Sequence, residues 1–288
     1  MKICGFTIIK NAVINQYPIV EAIKSLLPIV DEMLVLAGDS DDATNQLILD
    51  IGSDKIKLHH SVWDKAINTG GSVLAVETNK AFDLISDAYD WVFYIQADEV
   101  VHEADYPAIV AAAEKYKNDH SIDGLLFKFM QFYATYDYIG DSRRWYHHEV
   151  RILKNNKKIR SYRDAQGFRK NNAEKLLVKP VDAYIYHYGW VKSPQQIITK
   201  QRNISQYWSD ATDNRSFDTE EFDFSEIDSL ELFKGTHPAV MKDRIAAMNW
   251  NIKLDIGKKK FSVKDKLLYY IEKITGKRLF SFKNYKLV

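Results

Sequence analysis

The chain has 288 residues, a mass of 33.4 kDa and 46% hydrophobic residues, which suffice for one large α/β domain with an extension. Lysine and arginine number 40 against 39 aspartate and glutamate residues, so the net charge of +1 provides no overall field that would attract nucleic acid. The one cysteine, Cys4, excludes an internal disulfide and fits a reducing environment.

The first apolar run contains Cys4 and has about seven residues before Lys10, too few for a signal-peptide core or a membrane span. We therefore expect a cytoplasmic protein, with any membrane contact peripheral and at the inner face. Cys4 itself is expected to be a buried strand residue.

Residues 1–112 alternate β-rich runs with helical patterns, which is typical of parallel βαβ units with helices on both faces of a sheet. The strand-like runs are 2–9, 34–38, 55–60 and 91–97, and the helical ones are 22–33, 42–52 and 72–88. Ligands of such sheets bind beyond the carboxyl ends of the strands. The loops 10–16, 38–44, 62–71 and 96–103 are therefore where we expect the chemistry.

From residue 124 to 188 the pattern changes to aromatic-rich β segments, which indicate a mixed or antiparallel continuation covering one edge of the sheet. After Trp190 the chain is predicted to be mostly helical. Its charges separate into an acidic block, 210–231, with nine acidic residues and one basic, and a basic block, 253–288, with eleven basic and three acidic.

The apolar strand Trp91–Ile95 runs directly into Gln96, Asp98 and Glu99. Two carboxylates at a strand end can hold a metal or face a phosphate. An ordinary surface turn explains the same spacing equally well, because acidic residues are common in turns and at helix starts.

Two further segments contain polar residues that have both a possible ligand-binding role and an ordinary structural role. The strand 34–38 ends in a loop of small polar residues, in which Asp42 serves as a helix cap, a nucleotide contact or both, and Thr44 opens a helix. In the helix that starts near Ser72, a predicted N-cap, Asn79 and Lys80 fall at the boundary between the apolar and polar faces.

Taken in order, six segments resemble family 2 glycosyltransferases of the GT-A fold: 6–12 (FTIIKNA), 37–44 (AGDSDDAT), 78–81 (TNKA), 90–99 (DWVFYIQADE), 144–154 (RWYHHEVRILK) and 186–190 (YHYGW). The resemblance covers about the first two-thirds of the chain, and its specificity comes from the ordered conjunction rather than from any single motif.

The resemblance implies an α/β fold with a Rossmann-like mixed sheet flanked by helices. It assigns residues 1–190 to a GT-A catalytic domain, with a nucleotide-sugar part at 1–112 and an acceptor-side part at 113–190. Residues 191–288 would then form a helical C-terminal extension.

The resemblance also implies site roles. Asp98 and His187 would hold a divalent cation, Mn²⁺ or Mg²⁺. The residues expected to contact the nucleoside diphosphate sugar are Lys10, Asn11, Asp39, Asp42, Asn79, Lys80, Gln96 and Arg151. Gln96 stands where the family carries an acidic residue, so metal binding would draw on Glu99 or His187. Arg143 and Arg144 are further candidates for neutralising the diphosphate.

The implied activity is transfer of a sugar from a nucleoside diphosphate sugar to an acceptor hydroxyl, inverting and metal-assisted. The implied setting is bacterial polysaccharide or glycolipid assembly, with a saccharide or lipid-linked acceptor. Such a transfer needs a general base, because an alcohol is a poor nucleophile near neutral pH. Asp164, in a Gly-containing polar loop, is the favoured candidate and Glu149 is the second; an ordinary turn explains Asp164 as well.

Two other functions stay open. A nucleotidyltransferase shares this kind of sheet, but usually carries a Gly-rich basic loop after its first strand, which residues 6–15 lack. A catalytically silent relative that binds nucleotide sugar is favoured by Gln96 and by Ala37, which stands where many relatives have a base-contacting Asp. Asp39 would have to supply that contact.

In the basic block, Leu267, Leu268, Ile271 and Ile274 recur at helical spacing between Lys264 and Thr275. Such an apolar stripe either packs on the protein's own catalytic domain or, with the neighbouring lysines, docks on an anionic membrane.

Overall fold

We describe a computed structural model of the chain, in which residues 1–171, 173–208 and 220–288 are placed. Part of the predicted acidic block, residues 210–219, lies outside the described residues.

The N-terminal half of the sheet consists of four parallel strands in the order β3-β2-β1-β4. These strands are β1 (Ile3–Ile9), β2 (Glu32–Ala37), β3 (Ile56–His60) and β4 (Trp91–Tyr94). The helices between them are α1 (Ile19–Leu26), α2 (Thr44–Leu49) and α3 (Ser72–Leu84). The alternation predicted from the sequence is therefore confirmed.

The central strand β1 is buried along its whole length. Ile3 and Ile9 pack into one hydrophobic cluster, whereas Cys4, Phe6 and Ile8 pack into another. Because successive strand side chains point to opposite faces, both faces of the sheet must be covered by other elements. Cys4 is fully buried, as predicted.

The sheet continues from β4 through β8, β6, β11 and β10 to β9. The elements of this part are β5 (Glu99–Val101), α4 (Tyr106–Lys115), β6 (Gly124–Tyr133), β7 (Tyr138–Gly140), β8 (His148–Lys154), β9 (Ile159–Tyr162), β10 (Gly167–Lys170) and β11 (Glu174–Trp190). Strand β8 is antiparallel to β4 and β6, while β6 and β11 are parallel, so this half of the sheet is mixed.

Among the described residues after Trp190, three α-helices and two short strands follow: α5 (Pro194–Ser205), β12 (Leu230–Leu232), α6 (Lys242–Ala246), α7 (Val263–Thr275) and β13 (Tyr285–Leu287). The architecture confirms the predicted α/β class, a Rossmann-like mixed sheet flanked by helices, consistent with a GT-A fold. The division into 1–190 and 191–288 stays a prediction. Strand β13 pairs with β11, and β12 with β7.

Two local boundaries differ from the sequence prediction. The helix predicted for 22–33 is α1, which ends at Leu26, and β2 already begins at Glu32. Pro28 has no backbone N–H and cannot continue the helical hydrogen-bond ladder. Ser72 is the first residue of α3 rather than its N-cap, a position held by Gly71 in a left-handed conformation with φ of 69°.

Across the ranges the structure describes, no helix is both long and apolar enough to cross a membrane.

Candidate active site

A cavity of about 350 Å³ opens at the carboxyl ends of β1 and β4. Six of the residues singled out from the sequence line it: Lys10, Asn11, Gln96, Asp98, Asp164 and His187. They come from four distant parts of the chain, namely the ends of β1 and β4, the loop between β9 and β10, and β11. The fold therefore gathers three of the predicted donor contacts, both predicted metal ligands and one of the two base candidates around one space, at the edge where ligands of parallel sheets bind.

The pairing of β5 with β11 places Asp98 beside His187. Glu99 is in register with His187, and the Tyr188 amide donates to the Asp98 carbonyl at 2.8 Å. As a result, His187 Nε2 lies 3.5 Å from Asp98 Oδ1. A Cβ on Gly189 would come within 2.6 Å of Asp98 Oδ2 and 2.8 Å of His187 Nε2, so glycine keeps the space beside both groups open.

Lys200, on α5, also faces Asp98. Its ammonium lies 3.3 Å from Asp98 Oδ2 and donates to the Gly189 carbonyl at 3.0 Å. Burial by itself would raise the pKa of Asp98, but the His187 imidazole and the Lys200 ammonium outweigh it and hold that pKa far below its usual range. Asp98 is therefore an ionised carboxylate with the Lys200 ammonium beside it in the cavity.

The chemistry of this group of residues fits a divalent cation in part. A carboxylate and an imidazole are acceptable ligands for Mn²⁺, and His187 Nδ1 is buried without a hydrogen-bond partner among the described residues. Glu99 is unsuited as a third ligand, because both its oxygens accept hydrogen bonds from Arg151. Within the described ranges no group of three His, Cys, Asp or Glu side chains forms a metal cluster. Donor phosphate and water would have to complete the shell.

Arg151 and Glu99 form a buried ion pair. The guanidinium donates from Nε to Glu99 Oε2 at 2.8 Å and from Nη2 to Oε1 at 2.6 Å, and both side chains are at most 1% exposed. Arg151 also packs against the ring of Tyr94, which lines the cavity. Arg151 is not itself among the lining residues, but it packs against one of them.

The loops after β1 and β2 are tied together. Lys10 Nζ lies 2.7 Å from Asp39 Oδ1, which also accepts from the Trp63 amide at 3.0 Å. Partial burial by itself would raise the pKa of Asp39. The hydrogen bonds from Lys10 and Trp63 together have the larger, opposite effect, so the pKa lies below its usual value. Asp39 therefore anchors a lining lysine and a lining tryptophan, and does not line the cavity itself.

Asn11 and Asp42 form further hydrogen bonds between the loop after β1 and the loop after β2. The Asp41 amide donates to Asn11 Oδ1 at 2.7 Å, and the Ile14 amide donates to Asp42 Oδ2 at 2.8 Å. Asp42 also accepts from the Thr44 amide at 3.0 Å, at the start of α2. Asp42 is therefore not the N-cap of α2, a position that Ala43 holds, but its side chain joins the start of that helix to the loop after β1 and lies outside the cavity.

Asp164 occupies a loop with unusual backbone geometry. Its neighbours Arg163 and Ala165 have φ of 55° and 59°, a left-handed conformation that is unfavourable for residues other than glycine. Gln96 donates from its side-chain amide to the Ala165 carbonyl at 3.2 Å. Gln96 therefore tethers the loop that presents Asp164, in addition to lining the cavity.

The other predicted base, Glu149, lies outside the cavity lining and is only 4% exposed. Burial raises the pKa of its carboxyl to about 7, and the nearby Arg151 guanidinium offsets only part of that effect. A pKa near 7 suits a general base, but a base must first reach the proton it removes. The geometry therefore favours Asp164.

Asn79, Lys80, Arg143 and Arg144 lie away from the cavity lining. Asn79 exchanges two hydrogen bonds with the Ser161 backbone, joining α3 to β9, and Lys80 pairs with Glu77 at 2.7 Å. Arg143 and Arg144 line a second, polar cavity.

Sequence reasoning missed the contribution of α5 and of several aromatic side chains. The residues concerned are Tyr17, Trp63, Tyr94, Lys200, Asn203, Tyr207 and Trp208. A signal was available, because Ser193 and Gln196 form a capping box that opens α5 directly after the motif 186–190. Counting from that start, Lys200 and Asn203 fall on one face of the helix, and Tyr207 follows shortly after the helix ends.

No protein-family model matches the sequence, and no curated protein matches it. Solved structures do resemble the fold. S. aureus TarS 1–349 in complex with UDP-GlcNAc is 16% identical, with a TM-score of 0.40 over 72% of this chain and 66% of that one. Glucosyl-3-phosphoglycerate synthase from Mycobacterium tuberculosis, with Mn²⁺, UDP-glucose and glycerol 3-phosphate, is 20% identical, with a TM-score of 0.30 over 46% of this chain and 44% of that one. Mannosyl-3-phosphoglycerate synthase from Rubrobacter xylanophilus is 15% identical, with a TM-score of 0.31 over 46% of this chain and 41% of that one. The chain spans less than two thirds of the length of each, and at these TM-scores the likeness carries no functional argument.

Proposed function

We propose that this chain is a glycosyltransferase that moves a sugar from a nucleoside diphosphate sugar to an acceptor hydroxyl. The observation that carries the proposal is the composition of the 350 Å³ cavity, which combines an ionised buried carboxylate, two lysine side chains and aromatic walls. A nucleoside diphosphate sugar presents complementary chemistry, namely a base to stack, two phosphates to neutralise and a sugar to hold.

Specific roles follow from position. Trp63 and Trp208 offer flat surfaces for the base or the sugar, and Tyr207 packs against Trp63 with ring centroids 5.4 Å apart. Lys10 and Lys200 supply positive charge where the diphosphate would develop negative charge as it leaves. The binding of the donor would draw these lysines away from Asp39 and Asp98.

In the proposed reaction the bond between the anomeric carbon and the diphosphate oxygen breaks, and a bond from that carbon to the acceptor oxygen forms. The acceptor oxygen attacks from the face opposite the leaving diphosphate, which inverts the anomeric centre, and its proton passes to the Asp164 carboxylate. Asp98 and His187 would hold Mn²⁺ or Mg²⁺, which would supply further positive charge for the leaving diphosphate. A family 2 enzyme acting on a saccharide or lipid-linked acceptor, in the cytoplasm and in polysaccharide or glycolipid assembly, is the specific form that we propose.

The experiment is a thermal-shift screen of nucleoside diphosphate sugars, each with and without Mn²⁺, followed by assay of nucleoside diphosphate release. A bound donor stabilises the folded state by mass action, so the preferred donor is expected to raise the melting temperature. Release of the diphosphate, to water or to an added acceptor, separates an enzyme from a silent binder. Absence of any shift across the panel at millimolar concentrations would contradict the proposal.

A matched control is available for the Asp98→Ala variant. Asp123 is also a buried aspartate, 6% exposed against 9% for Asp98, and it pairs with Lys170 at 2.6 Å away from the cavity. Asp123→Ala therefore removes a similar carboxylate without touching the proposed donor site. We expect only Asp98→Ala to abolish the shift produced by the preferred donor.

A further inference from the structure

Helix α7 turns an apolar stripe toward solvent. Val263 is 90% exposed, Leu267 63%, Tyr270 52% and Ile274 83%. At 100° per residue these four side chains fall within an arc of about 60°. The stripe differs from the one predicted, since Leu268 and Ile271 are half-buried and Val263 and Tyr270 take their places.

The helix is nevertheless firmly attached through its other side. Tyr269 is buried, with its hydroxyl donating to Asp141 and its ring 4.9 Å from that of Phe261. Glu272 accepts a hydrogen bond from Arg143 at 2.8 Å. Because these contacts fix the rotation of α7, its apolar stripe faces outward as part of the folded structure.

Lysines border the stripe. Lys264 and Lys266 lie on α7 to either side of it, both exposed, and neither forms a salt bridge within the part of the chain that the structure describes. The segment after the helix continues this composition, with Phe280 at 88% and Phe282 at 70% exposure beside Lys283. Exposed apolar side chains bordered by unpaired lysines complement an apolar layer covered by negative charge.

We propose that α7 docks on the surface of an anionic lipid bilayer. The stripe enters the boundary between headgroups and acyl chains, and the flanking lysines contact the anionic headgroups. With 13 residues the helix is about 20 Å long, too short to cross a hydrocarbon core of about 30 Å, so it lies in the plane of the membrane. The proposal does not depend on what the cavity binds.

The test is co-sedimentation of the full chain with vesicles of phosphatidylcholine, alone or mixed equally with phosphatidylglycerol, at about 50 and about 300 mM salt. We expect binding to the anionic vesicles at low salt and several-fold weaker binding at high salt. Leu267→Ser/Ile274→Ser should reduce that binding at least about tenfold, since two exposed apolar side chains are lost. Lys264→Ala/Lys266→Ala should reduce it mainly at low salt.

Matched controls come from exposed residues elsewhere on the protein. Leu49 and Val62 are 58% and 73% exposed, so Leu49→Ser/Val62→Ser removes comparable apolar side chains from another surface and should leave vesicle binding unchanged. A polarity-sensitive dye at Ile274→Cys should shift to the blue with anionic vesicles, and Cys4, fully buried, should not take up the label.

Three results would overturn the proposal. The first is equal, negligible binding to both kinds of vesicle. The second is equal loss of binding in the control and α7 variants. The third is a dimer, seen by analytical ultracentrifugation, that Leu267→Ser/Ile274→Ser dissociates while vesicle binding is absent; it would assign the stripe to a second copy of the chain.

Discussion

Replacing Glu149 with glutamine tests whether this carboxyl is only a buried, protonated group or acts as the catalytic base. Burial raises the pKa of Glu149 from 4.5 to about 7, so the folded protein holds this carboxyl protonated over a pH range in which the unfolded chain has ionised it. The unfolded state thus binds fewer protons in that range, and stability falls as the pH rises from about 4.5 to about 7. Above that range the penalty is complete.

The size of the effect follows from the shift. One pKa unit corresponds to about 1.4 kcal/mol, so the penalty reaches about 3 kcal/mol at pH 8 and is below about 1 kcal/mol at pH 5. Glutamine does not titrate. The difference in unfolding free energy between Glu149→Gln and the wild type should therefore shift in favour of the variant by about 2 to 3 kcal/mol when the pH is raised from 5 to 8.

The assay is urea unfolding of both proteins at pH 5 and pH 8. Comparing the two pH values cancels any constant cost of packing the amide, which makes the difference diagnostic. A mutational effect that is the same at both pH values would show that Glu149 is not held protonated by burial. A turnover loss larger than that of Asp164→Asn would transfer the proposed base role to Glu149.

Three further substitutions test the site. Asp98→Ala should abolish metal-dependent donor binding in a protein that remains folded by circular dichroism; unchanged affinity would remove Asp98 from the site. Asp164→Asn should lower turnover by about two to four orders of magnitude while donor affinity holds, as expected for loss of a general base, and steady-state kinetics showing a change in affinity alone would contradict that role. Arg151→Met should cost about 3 to 5 kcal/mol of unfolding free energy by leaving Glu99 buried and unpaired. The double variant Glu99→Gln/Arg151→Met should recover much of that loss in urea unfolding, and a failure to do so would refute the ion-pair explanation.

The sequence was most informative where short-range pattern decides structure. A fully apolar run followed by polar residues predicts a buried strand and its end, and this placed Lys10 and Asp98 at the edge where the cavity opens. Both positions depend only on neighbouring residues and on the general geometry of parallel sheets. The roles assigned to them stay predictions.

Contacts between residues that are distant in the chain could not be predicted from the sequence. Arg151 was expected near the diphosphate, but the antiparallel contact of β8 with β4 and β6 brings it to Glu99, 52 positions away along the chain. Lys200 was missed for a related reason: a lysine on a helix is usually solvated, and only the tertiary fold brings its ammonium to Asp98 and to the Gly189 carbonyl of β11. Helix α7 shows the limit of periodicity, which predicts that an apolar stripe exists but not which side of the helix faces the body.

The central claim, that the cavity binds a nucleoside diphosphate sugar, is tested most directly by isothermal titration calorimetry with the preferred donor and Mn²⁺. The wild type and the Asp123→Ala control should bind with similar affinity, and Asp98→Ala should bind at least about tenfold more weakly, the equivalent of about 1.4 kcal/mol. Equal affinity in all three proteins, or no binding of any nucleoside diphosphate sugar to the wild type at millimolar concentration, would contradict it.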